Sequence, residues 1–445
     1  MWVLVLLVIM YFSLRGLAQP YFGLLALLAV YIIQPGELYP VLAMLHLERV
    51  LALVVIISFF AHGNKLRFPR LTIYFLMFYA VMLLSIPTAF WPMNSAQACL
   101  QFLEIVVFHM LIVSLLTTEE RIKQFIVLMV VLTGWLAATS LILYRGGVRE
   151  VHMHVERATG LTSSGGDANT LGITLVIAMP LEFLMMRKAN SKGIRWTGFA
   201  IFAISVLTVL ITGSRTSFIA MFAVLIMLMM RNAKNLKFIP VFAILVPIIW
   251  LALPQQYKAR YETVENLKND DSYQNRLLSW QGGIQMFLHN PLTGVGPDNY
   301  TTANGEQYWP EAGPKRWLNA HSLYFKLLGE LGLLGVFTFG LYLIGLIVKN
   351  MKLMRELPRK IRSPLVQQLP GYSNICLFAL LLTGYTAHNL YRSTWFTLGA
   401  ITGAISLLPK TLGTEDGEET TAPRPAKVPL WLQEPDPAAL EEMEC

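Results

Sequence analysis

The chain has 445 residues, 55% of them hydrophobic and only 14% charged, whereas roughly a quarter of a soluble globular domain is charged. That balance excludes a string of soluble domains. The formal net charge of +8 does not mark a nucleic-acid binder, because the Lys and Arg sit in short loops between apolar runs.

Taken in order, the apolar runs predict an all-α polytopic membrane protein with about 12–13 transmembrane helices. Trp2–Leu14 lacks a basic flank and a small-residue cleavage site, so it reads as a retained helix and not a signal peptide. Further spans are expected at Tyr21–Ile33, Val50–Ala61, Leu71–Phe90, Ala98–Leu116, Phe125–Tyr144, Leu171–Met186, Trp196–Ile211, Phe218–Met230 and Phe238–Leu253. After a large loop come Leu323–Val348, Ile375–Ala387 and Trp395–Leu408. Continuous apolar runs exclude a β-barrel, whose strands alternate.

Loop charge sets the expected orientation. Basic residues gather at 65–70, 187–195, 231–237 and 349–362, and these loops alternate with 91–97, 145–169, 212–216 and 254–320. The positive-inside rule puts the first set in the cytoplasm and the second, with the one large loop, outside. The segment after Lys410, rich in Pro, Glu and Asp, is expected to be a disordered cytoplasmic tail. The organisation expected is 1–156 as N-terminal transmembrane helices, 157–408 as a second membrane domain containing the loop 254–320, and 409–445 as the tail.

Several polar residues stand out from this apolar background. Arg215 lies in Thr212-Gly213-Ser214-Arg215-Thr216-Ser217 between two apolar runs. An arginine at the membrane boundary is costly and points to function, although a snorkelling side chain at a helix end is the bland reading. Arg276 opens an amphipathic segment with Leu277, Trp280, Ile284 and Phe287 at helical spacing, expected to lie flat on the outer leaflet. Its charge could simply meet lipid phosphate. Asn290-Pro291 ends that segment, and Gly294 and Gly296 turn the chain tightly.

His321 begins the helix that re-enters the membrane, with Tyr324 one turn on along the same face. A neutral imidazole there suits proton abstraction from a hydroxyl, though a lone histidine is more often structural. Glu330 reads as a structural partner for an arginine, and His388-Asn389 with Arg392 forms a second polar cluster. In the 145–169 loop, Arg157 is a candidate for donor or acceptor contacts. His152 and His154 lack a third ligand at a fixed spacing, and the three scattered cysteines offer none, so no metal site is expected. Gly165-Gly166 lacks the Lys and Ser/Thr of a phosphate loop. Tyr300, Tyr308, Trp309 and Trp317 suit either sugar stacking or an interfacial aromatic belt.

Together, Asn275-Arg276…Trp280, Asn290-Pro291-Leu292-x-Gly294-x-Gly296, Ala320-His321-Ser322-x-Tyr324 and Glu330-x-Gly332 resemble the shared domain of O-antigen ligases and O-antigen polymerases. Gly213-Ser214-Arg215 matches it too, and the resemblance runs from about Arg157 to Leu408. Leu14-Arg15-x-x-x-Gln19-Pro20 and Arg157-Ala158-x-Gly160 look like the exosortase-associated O-glycosylation ligase branch. The resemblance implies a metal-independent, inverting glycosyltransferase of the GT-C type in the bacterial inner membrane, with no cofactor. It would move a glycan from undecaprenyl diphosphate to lipid A-core, protein or a glycan acceptor at the periplasmic face. It carries donor diphosphate binding to Arg215 and Arg276 and a catalytic role to His321, with Arg157, Tyr324, His388 and Arg392 as substrate-binding candidates. Ligase and polymerase share the donor site and are not separated by these residues. A transporter of lipid-linked sugars, or a non-catalytic assembly subunit, is the competing class; a transporter calls for midplane charges and broken helices.

Overall fold

The computed structural model describes residues 2–38, 42, 44, 46–152, 155–160, 166–231, 258, 271–309, 315–357 and 361–418. Helices dominate: α1 (Trp2–Ala18), α2 (Pro20–Ile33), α3 (Leu47–Ala61), α4 (Arg70–Leu84), α5 (Pro92–Leu115) and α6 (Glu119–Arg145). A two-stranded hairpin of β1 (Glu150–His152) and β2 (Val155–Arg157) follows, paired antiparallel with Glu150 opposite Arg157. Then come α7 (Ala168–Lys188), α8 (Lys192–Ile211), α9 (Arg215–Met230), α10 (Asp271–His289), α11 (Tyr300–Glu306), α12 (Leu323–Glu356), α13 (Pro364–Gly384) and α14 (Ser393–Glu418).

Seven of the described helices are long and apolar enough to cross a membrane, and α2, α9 and Ser393–Leu408 are shorter apolar helices. The protein is an all-α polytopic membrane protein. The expected span Phe238–Leu253 lies outside the described residues. Two boundaries differ from expectation. The run Leu71–Phe90 stops being α-helical at Leu84, where Ser85 turns the chain and its hydroxyl bonds back to the Met82 carbonyl. The run Ile375–Ala387 belongs to a helix that already begins at Pro364, with Pro in the first turn and Ser363 capping the Val366 amide.

Contacts sort the loops into two ends of the helical body. At one end the 85–95 turn holds 295–299: the Phe90 amide donates to Val295 O, and Ser95 Oγ donates to Pro297 O. The Ala158 amide donates to Ile211 O there, and Thr216 and Thr386 share a hydroxyl contact of 2.5 Å. At the other end the Glu119 carboxylate accepts from the amides of Arg362 and Ser363, and Arg231 stacks over Tyr372. Among the described residues, the loop segments joined by these contacts fall in the groups expected to share a side.

One element breaks the helical pattern. α12 is kinked at Gly332 (φ 57°, ψ −154°), a conformation only glycine adopts readily. The break frees backbone groups in the middle of a membrane helix, where they must find partners. The chain 291–296 supplies them. Val295 and Gly296 amides donate to Gly329 and Glu330 carbonyls at 2.9 Å, while Leu333 and Leu334 amides donate to Pro291 and Leu292 carbonyls. Gly294 (φ +65°) is required at this crossing, since a Cβ would collide with the Glu330 carbonyl. The Asn-Pro-Leu-x-Gly-x-Gly motif is thus a plug for the kink.

Residues 1–407 form one compact unit. The second unit, 408–445, is described as far as Glu418, where it is helical; the rest of the expected acidic tail lies outside the described residues.

Candidate active site

The loop following α10 has a small core of its own, formed by Met286, Val295, Tyr300, Ala303, Tyr308 and Ala320. The sequence suggested sugar platforms or belt residues, but Tyr300 and Tyr308 pack inside, and Trp317 remains exposed. The amphipathic segment forms as α10, but its apolar residues divide. Trp280, Gly282, Gly283 and Met286 face protein, whereas Ile284 and Leu288 stay exposed beside Gln281 and Gln285. Gly283 is small because a Cβ would meet the Tyr300 hydroxyl.

α10 holds the segment leading to His321. Ser279 Oγ donates to Asn319 O (2.9 Å), and Trp280 Nε1 donates to Ala320 O (2.8 Å). The Trp280 ring also stacks on Phe325, with centroids 4.9 Å apart. With the chain pinned on both sides, His321 adopts a left-handed backbone (φ 42°), uncommon for any residue but glycine. Tyr324 sits one turn on, and its hydroxyl donates to Leu381 O, bracing α12 against α13.

His321 meets His388 edge to face, with ring centroids 5.3 Å apart. Burial, then the charges of Arg276 and Lys326, hold the His321 imidazole below its ordinary value of 6.5, against the pull of Asp167. His388 is pushed down to about 4 by burial and by Lys326, His321 and Arg392. Both rings are therefore neutral at neutral pH. Arg392, lowered to about 10 by burial, remains a cation. Burial raises the Asp167 carboxyl, but hydrogen bonds from the Thr170 hydroxyl and amide and the Asn169 amide, with the Arg157 charge, outweigh it and leave it ionised.

Arg157 is 1% exposed and its guanidinium is used internally. It donates to Thr212 O (2.7 Å), Asn169 Oδ1 (2.7 Å) and Glu150 (3.3 Å). These bonds tie the hairpin, the start of α7 and the turn before α9 together. That turn carries Gly213 (φ +58°), then Ser214, which caps the Ser217 amide, and Arg215, the first residue of α9. Thr216, next to Arg215, touches Thr386, two residues before His388.

A cavity of about 520 Å³ opens beside this cluster, with Lys326, His388, Tyr391 and Arg392 among its lining. The deeper walls are apolar, from Leu28 and Tyr31 of α2, Phe108 of α5, Met129 and Leu136 of α6 and Leu181 of α7. His388 and Arg392 both line this cavity, and burial is the largest cause of the shift in each. Glu330, fully buried, pairs with Lys326 (3.6 Å) and accepts from the Tyr391 hydroxyl (2.6 Å) instead of meeting an arginine. Asn319, Ser322 and Asn389, which flank the two histidines, each have a buried side-chain oxygen without a partner among the described residues. Such orphans call for an explanation such as a ligand.

The structure therefore brings Arg276, His321, His388 and Arg392 into one electrostatic cluster and sets Arg215 on the adjoining helix start. Lys326 and Asp167 were not singled out for the site by sequence reading. Lys326 lies five residues after His321 and four before Glu330, a charged pair on one face of an apolar helix, which was a usable signal. Among the described residues no group of three or more His, Cys, Asp or Glu is arranged to hold a metal; His154 lies outside them.

Fold and site define a polytopic helical membrane protein with a basic, histidine-bearing cluster at one end of its helices. Residues 200–340 match the family model described as O-antigen ligase, the family that the sequence motifs resemble. The match supports a membrane enzyme of the O-antigen ligase or polymerase type. It includes Arg215, Arg276, His321 and Tyr324 and leaves Arg157, His388 and Arg392 outside. Residues 1–190 match a family of unknown function, and no curated protein matches the chain.

Proposed function

We propose that the protein transfers a glycan from undecaprenyl diphosphate to a hydroxyl of lipid A-core or protein, at the periplasmic face of the bacterial inner membrane. The observation that carries this is a neutral His321 imidazole within electrostatic reach of Arg276 and Lys326. An acceptor hydroxyl is a poor nucleophile until a base begins to take its proton. In this reading His321 takes that proton as the acceptor oxygen forms its bond to the anomeric carbon. The bond from that carbon to the diphosphate breaks on the opposite side, its electron pair leaves with the diphosphate, and the anomeric configuration inverts. Arg276 and Arg215 bind diphosphate oxygens, where a guanidinium fork matches phosphate geometry and stabilises the growing charge. These cations supply the positive charge that other enzymes take from a metal, so a chelator should leave the rate unchanged.

The test is purified protein in lipid with a labelled lipid-linked glycan and, separately, a lipid A-core, protein or lipid-linked glycan acceptor. Label transfer to lipid A-core or protein supports the reading, and transfer to a second lipid-linked glycan makes the enzyme a polymerase. Movement of label across the bilayer without transfer would make it a transporter. Arg276→Ala and Arg215→Ala should each raise the barrier by about 2–4 kcal/mol. Arg→Lys should recover little, because the ammonium keeps the charge but loses the fork.

A further inference from the structure

We infer that Trp317 is a glycan platform: the open face of its indole stacks on a pyranose ring of a substrate glycan, close to His321. The inference deepens the reading above and rests on it for the substrate being a glycan.

The setting of the ring comes first. Of the aromatic residues in the loop after α10, Tyr300 and Tyr308 are buried and Trp309 is half-buried, but Trp317 is 56% exposed. One face of its ring is nevertheless fixed. A Cβ on Gly305 would lie 2.5 Å from Trp317 Cδ1, 2.6 Å from Cγ and 2.7 Å from Nε1. Three neighbouring ring atoms at nearly one distance put the glycine over the plane of the ring, since a point off its edge would be much nearer Cδ1 than the other two. The indole therefore lies flat on the Gly305 backbone, and its opposite face is the exposed one. The chain around it is tied down. Lys315 Nζ donates to Glu306 O (2.6 Å), Arg316 Nη1 donates to Asn275 Oδ1 (2.8 Å), and Asn304 Nδ2 donates to Leu318 O (3.2 Å). A ring held in place before the ligand arrives loses little freedom on binding.

Chemistry then chooses the ligand. A pyranose has a patch of C–H groups on its face and hydroxyls around its rim, and the negative face of an aromatic ring attracts the slightly positive C–H groups. Around the indole, Glu306, Gln307, Lys315 and Arg316 are all exposed. An apolar face bordered by a few hydrogen-bonding groups is the make-up of a site for such a ligand. An interfacial belt residue calls for apolar neighbours on its hydrocarbon side, and these exposed neighbours are all polar or charged. Position completes the argument. Trp317 is four residues from His321, so the two are at most about 14 Å apart. The carbonyls between them are held by α10 and α11: Leu318 O by Asn304, Asn319 O by Ser279 and Ala320 O by Trp280. One glycan can thus touch the platform while its reacting end lies at His321.

The experiment uses the full chain in nanodiscs and the free oligosaccharide released by mild acid from the lipid-linked glycan, with binding read by saturation-transfer NMR. Trp317→Ala should weaken binding roughly three- to tenfold, the worth of one aromatic stacking contact. Trp317→Phe, which keeps a ring, should recover most of it. In glycan transfer, Trp317→Ala should raise KM by the same factor and leave kcat nearly unchanged, because a contact away from the reacting atoms holds ground state and transition state equally. A rise in KM for the lipid-linked donor seats the donor glycan on the platform, and a rise for the acceptor seats an acceptor sugar there. Equal oligosaccharide binding by wild type and Trp317→Ala would overturn the inference. So would quenching of the Trp317 emission, taken as wild type minus Trp317→Phe, by bromine on the lipid acyl chains, which marks a belt residue. Oligosaccharide binding that depends on Trp317 without any glycan transfer leaves the platform standing alone. Transfer with binding indifferent to Trp317→Ala leaves the enzyme reading standing alone.

Discussion

At the scale of single residues, His321 combines a strained backbone with an electrically guarded ring. A left-handed conformation costs an L-residue about 1–2 kcal/mol, and such strain concentrates where surrounding structure enforces it for function. His321→Asn separates fit from chemistry, because Asn tolerates that backbone but takes no proton at neutral pH. If His321 is the base, His321→Asn and His321→Ala should both lose about 10²–10⁴-fold in transfer rate. Near-normal turnover by His321→Asn would remove the base assignment. The pH profile supplies a second reading. The free base exists above the folded-state pKa, which burial and then Arg276 and Lys326 hold below 6.5. The rate should thus be on its plateau at pH 7 and fall only as the pH drops below 6.5. Arg276→Gln removes one depressing charge, so the acid limb measured on its residual activity should move up toward 6.5. An unmoved limb would show that the titrating group is not His321.

Among elements, the kinked α12 and the 291–296 plug form a single device. Gly332→Ala would push a Cβ to 2.6 Å from Pro291 O and 2.7 Å from Leu292, in a backbone region that resists any side chain. About 1–3 kcal/mol of strain is expected, read as a lower melting temperature in detergent together with loss of transfer. Gly340→Ala, in the same helix with nothing within 4 Å of its Cβ position, is the control and should not lower stability. Equal behaviour of the two variants would mean that the plug does not hold the kink. α10 works similarly by holding 319–320, and it reaches α11 only because Gly282 and Gly283 lack side chains. Arg157 holds the turn before Arg215 from the other direction, so it acts as a positioning group in this arrangement.

At the scale of the whole molecule, the described loop contacts fall into two groups, and orientation is to be assigned. By the positive-inside rule, the end bearing 271–309 and 315–320 is expected to face outside. Gln281 is exposed on α10, and Lys352 is exposed near the far end of α12. With Cys99, Cys376 and Cys445 replaced, Gln281→Cys should react with an impermeant thiol reagent in intact spheroplasts, and Lys352→Cys only after permeabilisation. The reverse pattern would invert the topology and put the histidine pair on the cytoplasmic side.

What the sequence determined by itself follows from short-range physics. Apolar run length decides which segments can span hydrocarbon, so twelve of the thirteen expected spans fall on described helices. The motif residues Arg215, Arg276 and His321 were legible because arginine and histidine are costly at a membrane boundary and stand out against it. The tertiary structure alone decided the partners: His388 against His321, Lys326 between Asp298 and Glu330, and Asp167 within electrostatic reach of both histidines. Arg157 was a substrate-contact candidate because an arginine in a loop sequence carries no sign of the Thr212 carbonyl that accepts from it. Helical periodicity says which residues share a face, and it is silent on which distant face will meet it. The cavity is the extreme case, since its walls come from α2, α5, α6, α7, α12, α13 and α14. A void is defined by what several helices fail to fill together, and no single stretch of chain encodes that.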